Sequence, residues 1–189
     1  MQPEPVAPSH PARYADLFAL PEHQVGEIIA GELYAHPRPG PRHARASSAL
    51  GIKIGAPFDQ GNGGPGGWWL LDEPELHLHG DILVPDLAGW RRDRLPKLPD
   101  TAWFELPPDW VCEILSPATA RADRMLKMPR YATAGVSYCW QIDPDTRTLE
   151  AFALKDGQWV SLTSLVGDAE VSVAPFDAIY FALGALWAD

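Results

Sequence analysis

The chain is poor in cysteine and in positive charge, and it has no long apolar run. Its two cysteines, Cys112 and Cys139, lie in apolar, strand-like stretches, too few for a disulfide scaffold and better read as buried reduced thiols. Fifteen Lys and Arg stand against 25 Asp and Glu, a formal net charge of −10. That balance excludes a protein that coats nucleic acid by bulk charge, but not a nuclease, in which the placement of charge matters more than its sum. No apolar run nears the roughly 20 residues that span a bilayer, so a membrane protein is not expected. The opening MQPEPVAPSHPARY lacks the basic region and apolar stretch of a secretory signal, and the expected location is cytoplasmic. What remains is 189 residues, 46% apolar, a length and composition that suit one domain with a core.

Proline at positions 3, 5, 8 and 11 marks residues 1–13 as an extended arm, leaving 14–189 as a single domain. A short helix is expected over 16–30, a strand from Glu32, and an amphipathic helix over 43–58 on the spacing of Ala46, Leu50, Ile54 and Pro57. The glycine-dense QGNGGPGG that follows lacks the Lys and Ser/Thr of a phosphate-binding loop and reads as a connection. Strands are expected at 68–71, 75–79 and 82–90, a surface loop over 91–108, and a buried central strand at 110–115. Ser116-Pro117 opens a helix over 118–134, with Pro129 as a kink and Gly135 as its C-terminal stop; Ser116 reads as a cap. Strands at 136–142, 148–154 and 158–162 and a terminal helix over 176–187 complete the pattern. Strands outnumber helices, which makes the fold class α/β (α+β).

The informative residues are charges in strands that should be apolar. Asp86 follows Leu83-Val84-Pro85, and Glu113 sits inside Val111-Cys112-Glu-Ile114-Leu115. A buried, unpaired carboxylate costs several kcal/mol or takes up a proton, so each needs either a salt bridge or a cation between them. Hard oxygen ligands suit Mg²⁺ or Mn²⁺. Lys127 lies one helical turn beyond Asp123, a spacing that commonly means an exposed ion pair. On a helix folding back from the central strand, the same lysine reaches the carboxylates. Two carboxylates, a metal and a lysine make an arrangement for phosphodiester hydrolysis. His43 reads either as a helix-opening surface residue or as a neighbour of the site. His77 and His79, with Glu75, alternate on one strand, but without a third ligand zinc is not expected. Glu75 joins the Asp86 site if their strands are neighbours.

The runs Val84-Pro85-Asp86-Leu87-Ala88-Gly89-Trp90 and 109–119, with Asp123-Arg124 and Lys127, resemble the Uma-two family of the PD-(D/E)XK nuclease superfamily. The resemblance continues through 131–136, the aromatic strand Tyr138-Cys139-Trp140 and Asp143-Pro144. Upstream it takes in 27–33 and His43, so that it covers about 20–155. It implies a restriction-endonuclease-like core, a mixed β-sheet flanked by helices with additional antiparallel strands. It further implies an Mg²⁺- or Mn²⁺-dependent endonuclease acting on nucleic acid, DNA first. By this resemblance Asp86 and Glu113 are catalytic and metal-binding, and Lys127 takes the role of a lysine that the superfamily places two residues after the glutamate, where this chain has Leu115. Glu32, and after it Glu27, match the acidic residue of the first motif, with Asp123 auxiliary. Ala30 stands where many relatives carry aspartate.

Three windows hold 11 of the 15 basic residues: Arg38, Arg42 and Arg45; Arg91, Arg92, Arg94 and Lys97; Arg121, Arg124, Lys127 and Arg130. They contain only two acids, Asp93 and Asp123, whereas residues 141–189 carry eight acids and two bases. A basic rim around an acidic metal pocket is therefore expected. Two alternatives stand beside the nuclease: a non-catalytic binding or assembly module on the same fold, and a metal-dependent hydrolase of another phosphate ester. Eight tryptophans suggest self-association as a homodimer if Trp68, Trp69, Trp90 or Trp103 is exposed.

Overall fold

A computed structural model describes residues 10–187. Most of the expected arm, residues 1–9, lies outside the described residues. Its last part is docked, with the Ala12 amide donating to the Gly31 carbonyl at 2.8 Å.

Two mixed sheets form the body. The first has the order β2 (Glu32–Pro37), β1 (Gln24–Ile29), β5 (Asp81–Leu83), β4 (Glu75–Leu78), β7 (Trp103–Phe104). The second has the order β11 (Gln158–Val166), β10 (Thr148–Lys155), β9 (Tyr138–Asp143), β8 (Trp110–Ile114), β6 (Leu87–Arg91), β3 (Trp68–Asp72). A small pair, β12 (Glu170–Val171) and β13 (Phe181–Ala182), lies near the C-terminus. In the six-stranded sheet β8 and β9 run parallel, and the chain between them forms the helix 120–134. That is the crossover a parallel pair requires.

Strand alternation separates two interiors. Trp110, Cys112 and Ile114 of β8 face the helix Pro41–Ile54 through Ala46, Ala49, Leu50 and Ile54, with Phe176, Leu183 and Leu186 of the C-terminal segment. Val111 faces the other way, where Ala88, Trp90 and Cys139 meet Leu76 and Leu83 of the five-stranded sheet and Tyr131 of the helix. Cys112 and Cys139 thus lie on opposite faces of one sheet and remain free thiols.

Four expectations change. Over 16–30 the chain makes one helical turn, Tyr14–Leu17, then strand β1. Val25, Ile28 and Ile29 favour a strand, and Ala30-Gly31, both at positive φ, close a two-residue hairpin turn. The expected strand 82–90 is two strands in different sheets, because Pro85 can donate to neither ladder and the chain crosses between sheets there. The terminal helix is replaced by β13 and a short 3-10 turn, Leu183–Leu186, with its apolar residues anchored one by one in the core. The kink expected at Pro129 takes the form of a π-helical turn just before it, Asp123–Lys127. Trp68 and Trp90 are buried and Trp69 and Trp103 half-buried, so none of the four is a fully exposed ring. Among the described residues no helix is long and apolar enough to cross a membrane.

Candidate active site

The link Val84-Pro85-Asp86 carries the chain from one sheet to the other and places Asp86 immediately before β6. There the antiparallel register pairs Leu87 with Cys112, and continuing it sets Asp86 opposite Glu113. Asp86 accepts a hydrogen bond from the Ile114 amide at 2.7 Å, and its other oxygen lies 3.1 Å from His43 Nε2. His43 Nδ1 is buried without a hydrogen-bond partner among the described residues. Glu113 is held on the face of β8 that meets the helix 120–134, where the Tyr131 hydroxyl donates to it at 2.6 Å.

Lys127 closes the group. Its side chain is 3% exposed, and its Nζ lies 2.9 Å from Glu113, 3.0 Å from Glu27 and 3.5 Å from Asp123. It also donates to the Val84 carbonyl at 3.2 Å, while the Val84 amide donates to Glu27 at 2.7 Å. Lys127 is reached because the helix turns back over the sheet after Ser116-Pro117. Of the two readings of the Asp123–Lys127 spacing, the exposed ion pair does not hold: both residues are buried, and the lysine reaches Glu113.

Three carboxylates surround one ammonium, and their protonation follows from their partners. Burial pushes Glu27 up, but Lys127, His36 and the Val84 amide outweigh it and hold the carboxyl at about 2. Glu113 touches the same ammonium yet is raised well above the carboxylate range. Burial raises it first, and the neighbouring Asp123, Asp86 and Glu27 add to the rise against the pull of Lys127. Burial pushes Asp123 up to about 6. Lys127 holds its proton more firmly than a free lysine, since Glu113 and Glu27 overcome its burial. This side therefore has more negative charge than one lysine can match.

A cavity of about 640 Å³ is lined by Asp86, Glu113, Asp123, Lys127, His36 and His43, together with Arg38 and Arg42. Asp86 and Glu113 offer hard oxygen donors of the type Mg²⁺ takes. Among the described residues no three His, Cys, Asp or Glu side chains stand together as a ligand set. Mg²⁺ commonly takes one or two carboxylates and fills its remaining positions with water and substrate phosphate, so a two-carboxylate donor set suits it.

Other expected participants lie apart. Glu32 is exposed at the hairpin turn and bonded by Tyr34, so Glu27, two strand positions from Val25, is the acid that the first hairpin contributes. Glu75 pairs with His77 at 2.7 Å in the other sheet, away from Asp86. The basic rim does not form as expected. Arg91, Arg92 and Arg94 lie at the opposite end of β6 from Asp86, pairing with Asp93, Asp59 and Asp109. Arg124 pairs with Glu150, Arg130 with Asp81, and Arg45 donates to the Ala185 carbonyl. Lys97 pairs with Asp100, and Arg121 is not among the cavity-lining residues. His36 and Tyr131 were not singled out from sequence. Tyr131 stands four residues after Lys127, on one helical face, and His36 shares a strand face with Tyr34, across the hairpin from Glu27.

A family model, Uma2, described as "Putative restriction endonuclease", matches residues 14–183. The chain belongs to the Uma2 family. A crystal structure described as a "putative nuclease" from Anabaena variabilis ATCC 29413 is similar to this Uma2 chain, with a TM-score of 0.72 and 21% identity. The similarity covers 93% of this chain and 97% of that one, and at this identity it establishes a shared fold. A search of curated proteins found no match.

Proposed function

We propose that this Uma2 protein is an endonuclease that hydrolyses phosphodiester bonds of nucleic acid, DNA first, with Mg²⁺ or Mn²⁺ at Asp86 and Glu113. The observation that carries the reading is the pair itself. Asp86, just before β6, and Glu113 of β8 stand opposite each other when the strand register is continued; both border one cavity, and an ammonium lies 2.9 Å from Glu113. When bound, the ion would polarise the phosphate and lower the pKa of a coordinated water. The Ile114 amide and His43 fix the Asp86 carboxylate, and Tyr131 and Lys127 fix Glu113. Lys127 keeps its proton, so it serves as a fixed positive charge near developing negative charge and not as a base.

The rival reading, a non-catalytic module, has its own support. Lys127 is already engaged by three carboxylates and a carbonyl, as a purely structural cation would be. Asp86→Asn separates the two, because the amide oxygen can still accept from Ile114. Plasmid nicking with Mg²⁺ should fall at least ~100-fold in this variant. Added Mg²⁺ should raise the melting temperature of the wild type and leave that of Asp86→Asn unchanged. Nicking that survives the substitution removes this site from the reaction. If wild-type protein shows neither nicking nor an Mg²⁺-dependent shift, the module reading stands.

A further inference from the structure

We propose that the site takes single-stranded nucleic acid, or an unpaired end, and not phosphates within a continuous duplex; this rests on the nuclease reading above. The reacting groups are recessed. Glu113 is 2% exposed and the Asp86 side chain 15%, so a phosphodiester must enter the cavity to reach them. A duplex presents its phosphates on a convex and stiff surface, with a persistence length of about 150 base pairs, whereas a single strand bends freely.

The cavity walls point the same way. Pro37, Pro39, Pro41, Pro117 and Pro144 border it, giving apolar rings with no directional demand. In a duplex the base faces are hidden in the stack, so apolar walls find their partners in unpaired bases.

The charge is too sparse for a duplex. Of the arginines among the described residues, Arg38 and Arg42 border the cavity. Arg42 holds Asp145 at 3.3 Å in an exposed pair that a phosphate can replace at little cost. Arg92, Arg94, Arg124 and Arg130 are committed to carboxylates of this chain. Two phosphate contacts on a single strand give a slope of log K against log salt of about −1.4. A net charge of −10 opposes the denser charge of a duplex more strongly.

The test compares a short fluorescein-labelled single strand with the same sequence annealed to its complement. Cleavage is measured with wild type and Mg²⁺, and anisotropy with Asp86→Asn across a salt series. The expected result is a preference of at least about tenfold for the single strand in both, and a shallow slope near −1.4. Equal or better cutting or binding of the duplex overturns the inference, as does a slope of about −4 or steeper, which needs more phosphate contacts than the cavity offers. If wild type cuts neither substrate, the nuclease reading fails and binding alone decides: selective single-strand binding supports the inference, and absent or equal binding overturns it.

Discussion

Strand β8 looks into two interiors of opposite kind. On one side Trp110 meets Trp140 at 5.6 Å and Phe176 at 4.9 Å, edge to face, in an apolar core closed by the helix Pro41–Ile54. On the other, three residues along, Glu113 enters a cluster of carboxylates held by a single ammonium. The aromatic side spreads its stabilisation over many weak contacts, none indispensable in kind. The charged side depends on one group, because a buried carboxylate without its counter-charge has no substitute partner. The apolar core and the charged cluster are thus separated by one step of strand alternation.

The sharpest test of this contrast sets two truncations side by side. Lys127→Met and Trp140→Ala should each cost about 3–5 kcal/mol at pH 7, the first by stranding buried carboxylates and the second by opening a cavity. Urea unfolding at several pH values tells them apart. The Lys127 loss should shrink toward pH 5, as Asp123 takes up its proton, whereas the Trp140 loss stays constant. Equal, pH-independent losses would break the comparison.

Asp123→Asn should have a smaller effect of opposite sign. The folded-state pKa of Asp123 is raised from 3.8 to about 6, so the folded protein binds the extra proton and stability falls as pH rises through that window. The substitution should therefore stabilise the protein at pH 7, by on the order of 1–2 kcal/mol, and less at pH 5. Glu27 works in reverse: with its pKa lowered from 4.5 to about 2, it contributes stability above pH 4.5 that is lost as pH falls toward 2. Glu27→Gln should remove that acid limb from the stability curve. The smallest effect lies outside both interiors. Ala30 sits at φ 57° in the hairpin turn, and Ala30→Gly should raise stability by about 1 kcal/mol in thermal unfolding, with cleavage unchanged.

The amino-acid sequence made Asp86, Glu113 and Lys127 visible for a physical reason. Charge inside an apolar strand is costly, so its presence signals a partner, and local spacing put Asp123 beside Lys127. The helix 120–134 was legible from Gly135, which adopts φ 81° as its C-terminal stop. The choice between Glu27 and Glu32 was not legible, since it turns on the register of a hairpin whose strand was read as helix. Nor was the fate of the arginines, because their partners are distant in sequence: Arg130 with Asp81, Arg124 with Glu150. Clustering along the chain said where positive charge begins, and pairing across the fold determined how much of it reaches the surface.

The π-helical turn Asp123–Lys127 has a consequence beyond its local shape. A widened turn accommodates one more residue than an α-helical one, and each α-helical residue advances the helix by about 100°. It therefore acts as a phase adjuster between the stretch that leaves β8 and the stretch that ends at Gly135. Deleting one residue between Asp123 and Lys127 would leave the Lys127–Tyr131 spacing intact, but it would change how the ammonium is set against Asp123 and the stretch that leaves β8.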